Sequence, residues 1–315
     1  RDGAGIFDRI VEDKDANHKE REIDEINTGV LVVTADHLNT YLPSVLSDNE
    51  QGEYYLPDIL SQLVKEKEPV FTVNAMPEEI LGINDRVQLA QAEAVIRATR
   101  ARALMDRGVT LIDPTRVDIR GDVKCGSDVV IDINVILEGR VVLNDSVSVG
   151  ANSCISNSTI GAGTVIHPMS TIDGAIVESS CSIGPFARIR SGTTLSRDAK
   201  IGNFVETKNT SIGEASKASH LAYLGDATIG SSSNIGAGTI TCNYDGFEKH
   251  TTEIGDNTFV GSNSTLVAPL KISEEAFVSA GSTVTKDVAS KELAVGRSPQ
   301  RNVIGWKRPQ KKKSP

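Results

Sequence analysis

From Ile254 to Val284 every sixth residue is a branched aliphatic: Ile254, Val260, Leu266, Ile272, Val278 and Val284. A helix repeats at 3.6 residues and a half-buried strand at two, and neither produces a beat of six. A coil with three flat faces does, when each face uses one hexad and turns one aliphatic inward. Such coils, stacked in parallel, form a solenoid with a thin aliphatic interior. The same beat runs through Ile131, Leu137, Leu143, Val149 and Ile155, drops one residue, and continues through Ile160, Ile166 and Ile172. It resumes at Ile183, Ile189, Leu195 and Ile201, then at Ile212, Leu224, Ile229 and Ile235. The strands of a β-sandwich would not hold this phase for so long. At about 18 residues per coil, residues 119 to 289 predict roughly nine or ten coils. Several inward aliphatics precede a glycine, as in Ile160-Gly161, Ile183-Gly184, Ile201-Gly202, Ile212-Gly213, Ile229-Gly230 and Ile235-Gly236. These glycines are expected at tight corners with positive φ.

Residues 1–82 lack the beat. Ile23–Ile26, Val30–Val33 and Val70–Val73 read as short strands. Asp36 onward and Tyr55–Lys65 read as helices, with Pro57 near the start of the second, where its missing N–H costs least. The pattern is α/β and contains no glycine-rich phosphate loop, so it reads as the remainder of a larger α/β domain. Residues 83–108 predict one long helix, capped at Asn84-Asp85 and closed by Gly108. It is either a strut between two parts or an ordinary surface helix of the first. Residues 109–290 are assigned to the β-helix. Residues 291–315 form a basic tail with Arg301, Lys307, Arg308, Lys311, Lys312 and Lys313 around Trp306. One stretch, Cys242 to Glu253, interrupts the coil and is expected to project as a loop from one face.

Composition narrows the function. Aromatics make up only 4% of the 315 residues, which suits a narrow core of Ile, Val and Leu. A net charge of −9 gives no support to a nucleic-acid surface. No apolar run approaches the roughly 18 residues of a membrane span. Cys125, Cys154, Cys181 and Cys242 are scattered, and read as reduced thiols of a cytoplasmic protein. Arg1-Asp2-Gly3 does not resemble a signal peptide, and without an initial Met the chain is expected to be a fragment.

Strong groups stand out on a surface of Ser, Thr, Asn and Asp. Arg190 and Lys208 lie 18 residues apart, so they should project from one face on adjacent coils. They make either a cationic pocket for a phosphate or two solvated cations balanced by Glu206. A further step of 18 lands on Asp226. His220 sits one hexad earlier, on the neighbouring face, as either a general base or a surface histidine. Lys249 and Tyr244 on the inserted loop are placed to close over the same pocket, and Ser262 at a corner to donate to an oxyanion. A zinc site of His167, His220 and His250 is disfavoured because no close His pair is present.

Three segments carry a resemblance. They are Ile183-Gly184-Pro185-Phe186-Ala187-Arg188-Ile189-Arg190, His220-Leu221-Ala222-Tyr223-Leu224-Gly225-Asp226, and Asn234-Ile235-Gly236-Ala237-Gly238-Thr239-Ile240-Thr241-Cys242-Asn243-Tyr244-Asp245-Gly246. With Gly202–Glu206 and Gly305–Arg308, they resemble the bacterial bifunctional enzymes of UDP-N-acetylglucosamine synthesis, which combine glucosamine-1-phosphate N-acetyltransferase and N-acetylglucosamine-1-phosphate uridylyltransferase activities. The resemblance implies a mainly β protein with a left-handed parallel β-helix of hexapeptide repeats. It implies His220 as catalytic base, with Arg190, Lys208, Tyr223, Asn234 and Lys249 on the sugar phosphate. Acetyl-CoA would be lined by Ala237, Asn243, Tyr244, Ser262, Ala280 and Arg297. It also implies a homotrimer with sites between subunits, and a tail that covers a neighbouring site if it is not merely a solubilising end. Of the uridylyltransferase site, Glu12, Asn27 and Asn84 remain, with Asn84 as the remnant magnesium ligand. The glycine-rich loop of that site is not matched, so uridylyl transfer is expected to be lost. Ser219 replaces the glycine usual before the histidine. The alternative is a sugar nucleotidyltransferase whose β-helix is only an oligomerisation scaffold.

Overall fold

The computed structural model describes Arg1 and residues 6–309, so the tail residues Lys311, Lys312 and Lys313 lie outside the described residues. The chain divides into two compact units, Arg1–Ala92 and Glu93–Pro315.

In the first unit, helix α1 (Ala35–Tyr41) begins at Thr34, whose hydroxyl accepts the His37 N–H at 3.3 Å. This is an ordinary N-cap. Helix α2 (Asp58–Lys65) buries Ile59 and Leu63, one turn apart on one face. The strands expected at Ile23–Ile26, Val30–Val33 and Val70–Val73 do not form among the described residues. An extended segment becomes a strand only beside a partner that takes its backbone hydrogen bonds. These segments lack one, and Val32 and Phe71 are 97% and 86% exposed.

Helix α3 (Arg86–Met105) opens at Asp85, whose carboxylate accepts the Gln88 N–H at 2.8 Å. In its last turns Ala101 and Leu104 join the core that continues into the β-helix. There the Arg100 guanidinium donates to the Ile119 carbonyl at 2.5 Å. Gly108 follows with φ +91°, as the helix stop requires.

Beyond the helix the strands are short and run parallel. Eleven of those described, from Thr110–Leu111 to Leu293–Ala294, form one sheet. Fifteen more form a second sheet. That second sheet bends round a corner, because its long strands pass through it. Val135–Leu143, for example, pairs with Cys154–Ser156 at one end and Thr159–Ile160 at the other. The first sheet is thus one face of the coil and the second sheet supplies two. The aliphatics of the six-residue beat point inward: Ile131, Leu137, Leu143, Ile155, Ile160, Ile166, Ile172, Ile183, Ile189, Leu195 and Ile201 are all fully buried. Each such side chain contributes about 1.5–3 kcal/mol by leaving water.

The coil has two step lengths. Ile183 pairs with Ile201, a step of 201 − 183 = 18, whereas Leu195 pairs with Ile212, a step of 212 − 195 = 17. Hence Lys208 pairs with Gly225, not with Asp226 as a uniform step of 18 predicts. Asp226 falls instead at the corner, in line with Asn209 and Asn243, at steps of 17. At the insertion the step rises to 254 − 229 = 25.

The glycines after the inward aliphatics do a different job from the one expected. Of the six highlighted in the sequence only Gly184 has positive φ, and the other five do not. They are needed because the next coil's backbone passes too close for a Cβ. At Gly236 a Cβ would lie 2.6 Å from the Ser262 nitrogen, and at Gly213 it would lie 2.5 Å from the Gly230 carbonyl carbon. The left-handed corners fall elsewhere, and Asn, Ser and Asp hold many of them, including Asn209 at φ +48° and Asp226 at φ +47°. Short polar side chains tolerate this region best.

Replacing Leu195 by Ala should destabilise the β-helix by about 2–5 kcal/mol. Replacing exposed Ser211 by Ala should change stability by less than about 0.5 kcal/mol. Guanidinium unfolding of the two variants measures the difference.

Candidate active site

Two groups of side chains stand on adjoining faces. The first is cationic. Arg188 pairs with Glu206, so Arg190 projects beside Lys208 on the next coil. The Arg190 guanidinium donates to Glu206 at 2.7 Å, and Arg188 reaches the other carboxylate oxygen at 3.9 Å. Lys249 arrives from the inserted loop. Its amine lies close to that of Lys208 and holds the Lys208 amine below the ordinary lysine value. The charges of Lys249 and Arg190 push the same way, and Asp226 pushes back. Three cations crowded at one point are a receptor for an anion.

Asp226 lies beneath them, only 7% exposed. Burial raises its carboxyl, but amide hydrogen bonds from Asn209 and Asn243, with the charges of Lys249 and Lys208, outweigh it and keep the group ionised. The Asn209 amide donates at 2.6 Å, and the Asn243 amide donates to the other oxygen. Asn243 stands at the root of the inserted loop, so this carboxylate also anchors the loop.

The loop has its own frame. Asp245 accepts the backbone N–H groups of Glu248 and Phe247 and pairs with His250 at 2.8 Å. The Glu248 bond leads, followed by His250 and Phe247, in holding the Asp245 carboxyl far below its usual range. Tyr244 pairs antiparallel with Lys249 through the backbone, but its hydroxyl donates to the Gly246 carbonyl within the loop. Lys249 therefore reaches the cation cluster, whereas the Tyr244 side chain stays 61% exposed. Tyr223 lies between the clusters and folds over Gly225, where an added Cβ would sit 2.7 Å from the Tyr223 Cζ.

The second group is a column. His220 ends the strand Lys217–His220, which pairs with Asn234–Ile235, then Phe259–Val260, then Phe277–Val278. Carried past the paired residues, the same register stacks His220, Ala237, Ser262 and Ala280 at one corner. Arg297 falls outside this register, because Phe277 pairs with Leu293 and so sets Gly296 against Ala280; its side chain passes beside Gly281, one residue beyond the column. Four of the residues implied by the resemblance are thus brought into line. His220 is exposed, and its Nδ1 lies 2.6 Å from the Asn203 Oδ1. Asn234 stands on the first sheet, three residues before Ala237, and makes no side-chain bond to the cation cluster among the described residues.

Other candidates fall away. Burial pushes the Cys125 and Cys181 thiols up to about 11, which leaves no thiolate nucleophile there. Glu12, Asn27 and Asn84 are exposed, and the hydrogen bonds shown for them stay within their own turns. No three His, Cys, Asp or Glu side chains converge among the described residues. The described residues thus offer Asn84 no cluster of carboxylates with which to hold a hard cation, and they do not fit magnesium. Two surface hollows among the described residues, one along residues 283–296 and one around Arg116 and Asn134, are lined by neither the cation cluster nor His220. No helix among the described residues is long and apolar enough to cross a membrane.

Asn203, Asn209 and Asp226's true neighbours were not singled out in the sequence. Reading the Leu195-to-Ile212 step as 17 would have placed Asn203 against His220 and Asn209 against Asp226.

Fold and side chains define a class first: a parallel β-helix of hexapeptide repeats that carries a cation cluster on one face and a histidine at the neighbouring corner. Comparison with known proteins makes the class specific. Residues 108–205 match the family model of the GMPPB C-terminal domain. The bifunctional protein GlmU of Marinobacter nauticus is 48% identical over 312 residues, 99% of this chain and 69% of that protein. The bifunctional protein GlmU of Cellvibrio japonicus is 51% identical over 313 residues, again 99% and 69%. The chain belongs to the family of bifunctional GlmU proteins, and its β-helix is left-handed. Among solved structures, the UDP-N-acetylglucosamine O-acyltransferase of Moraxella catarrhalis aligns over 56% of this chain and 71% of its own, at 18% identity and a TM-score of 0.40.

Lys249→Gln should raise the Lys208 pKa towards the ordinary lysine value, because it removes the leading cause of the depression. Lys208 loses its charge as pH rises through its pKa. The pH at which inorganic phosphate binding fails on the alkaline side should therefore move upward in the variant, as calorimetric titration across pH would read.

Proposed function

We propose that the chain is an acetyl-CoA-dependent N-acetyltransferase that converts glucosamine-1-phosphate into N-acetylglucosamine-1-phosphate, for UDP-N-acetylglucosamine synthesis. The observation that carries this reading is the convergence of Arg190, Lys208 and Lys249 beside the corner that bears His220. A sugar phosphate needs such an anchor, with a bidentate guanidinium and point-charged ammonium groups. Membership of the GlmU family supports it.

In the proposed reaction the cations hold the phosphate, and Tyr223 and Asn234 meet the sugar. His220 takes a proton from the glucosamine nitrogen as that nitrogen bonds to the thioester carbonyl carbon. The resulting tetrahedral oxyanion is met by Ser262, in the same corner column as His220. The C–S bond then breaks, the amide forms, and His220 returns its proton to the departing sulfur, so that coenzyme A leaves as its thiol. Ala237, Asn243, Tyr244, Ala280 and Arg297 are assigned to acetyl-CoA. For Asn243 the role is indirect, because its amide is committed to Asp226.

The domain reading stands as part of this proposal: an α/β segment 1–82, a linker helix 83–108, the acetyltransferase β-helix 109–290 and a tail 291–315. So does assembly as a cytoplasmic homotrimer. A column of exposed apolar residues, Met169, Phe186, Phe204 and Leu221, runs beside His220, and Phe186 stacks on Phe204 at 5.2 Å. An apolar stripe of this kind is the mark of an interface, and a site between subunits would bring a second chain's groups to His220. The scaffold-only alternative leaves the cation cluster unexplained. Uridylyl transfer is assigned to no residue of this chain.

The test is coenzyme A release from acetyl-CoA, followed with a thiol reagent and run beside a UTP assay on the same sample. Release should require glucosamine-1-phosphate. His220→Ala should lower kcat by about 10²–10⁴-fold with folding retained. In the wild type the rate should fall at acidic pH, where the imidazole and the substrate amine are protonated. A near-wild-type rate in His220→Ala would show that another group is the base.

A further inference from the structure

Asn203 ends the strand Lys200–Asn203 and pairs in register with His220 on the next coil. Its Oδ1 lies 2.6 Å from the His220 Nδ1. An amide oxygen can only accept, so Nδ1 carries the hydrogen and Nε2 keeps its lone pair. The backbone holds the two side chains in this relation. The Leu221 N–H donates to the Asn203 carbonyl at 3.0 Å. A Cβ on Gly202 would collide with the Ser219 carbonyl, so glycine there lets the two strands close up immediately before the pair. Phe204 and Leu221, the next residues, both take left-handed conformations, at φ +57° and +48°. Both chains therefore turn at the same point, and the two side chains leave one corner together.

The partner is neutral. A carboxylate at this position would favour the imidazolium and so withdraw the base at low pH. The charged groups on the two strands are Lys217, on His220's own strand, and Lys200, on the strand of Asn203, paired with each other at the far end. On the other side the strand Asn234–Ile235 brings the neutral Asn234 and Ala237.

We infer that Asn203 is a positioning residue for His220: it fixes the imidazole as the Nδ1–H tautomer with Nε2 as the base, and does so without adding charge. This rests on the acetyltransfer reading above for its consequence, but not for its geometry.

Two measurements test it on the full chain. Long-range proton–nitrogen NMR spectra of histidine-labelled wild-type protein, assigned with His220→Ala, should show His220 as the Nδ1–H tautomer. An Nε2–H tautomer overturns the inference, whatever the protein catalyses. Kinetics supply the second arm. Asn203→Ala should lower kcat by roughly tenfold to a hundredfold with both KM values unchanged, as when other histidine-orienting partners are removed. Asn203→Asp should instead move the acidic limb of kcat/KM upward by about one pH unit. A merely structural role would move neither the tautomer nor that limb, so an unmoved limb in folded Asn203→Asp also overturns the inference. If Asn203→Ala fails to fold, the wild-type spectrum and the Asp variant decide. If the wild type releases no coenzyme A, the proposed function fails, and the spectrum still decides the role of Asn203.

Discussion

Everything in the β-helix depends on the burial of one aliphatic side chain per hexad. Ile131, Ile172, Leu195 and their counterparts form a file that fills a narrow interior closed by the flat faces of the coil, joined by smaller buried residues two positions earlier such as Val129, Ala187 and Ala199. The parallel ladder adds backbone hydrogen bonds from coil to coil. The file itself fixes the register, because a one-residue slip would turn each aliphatic out to solvent. The outer surface is then free to carry chemistry, and residues far apart in sequence become neighbours at fixed steps.

That freedom explains where the chemistry lies. Arg190, Lys208 and Lys249 come from two coils and a loop, yet are gathered at one place, Lys208 and Lys249 beside Asp226 and Arg190 on Glu206. Asp226 would be costly to bury alone. Two amides and the overlying cations satisfy it, so one buried group both balances the cluster and ties down the loop that brings Lys249. His220, at the next corner, belongs to a column with Ala237, Ser262 and Ala280. The two groups are set at an angle by the corner between the faces.

Much of this is legible in the sequence, because a six-residue beat leaves few alternatives. The inward file, the break at the inserted loop and the pairing of Arg190 with Lys208 all follow from counting. Counting fails where a coil holds 17 residues, so Asp226 is misplaced by one and Asn203 is overlooked. The expected strands at Val30–Val33 and Val70–Val73 fail for another reason. β-propensity states what a segment prefers once it has a neighbour, and these segments have none among the described residues. The glycines were read as corners when their use is close approach, a property of two coils that no single hexad displays.

The mixture of 17- and 18-residue coils has a wider consequence. In most folds a deleted residue is a local injury, absorbed by a loop. Here a deletion at a corner keeps the interior file intact and slides the outer surface of later coils against earlier ones. Side chains unchanged in identity acquire new neighbours, as Asp226 meets Asn209 rather than Lys208. Length variation thus acts on this surface as recombination does on a gene, producing new constellations from old residues without disturbing the core that holds them.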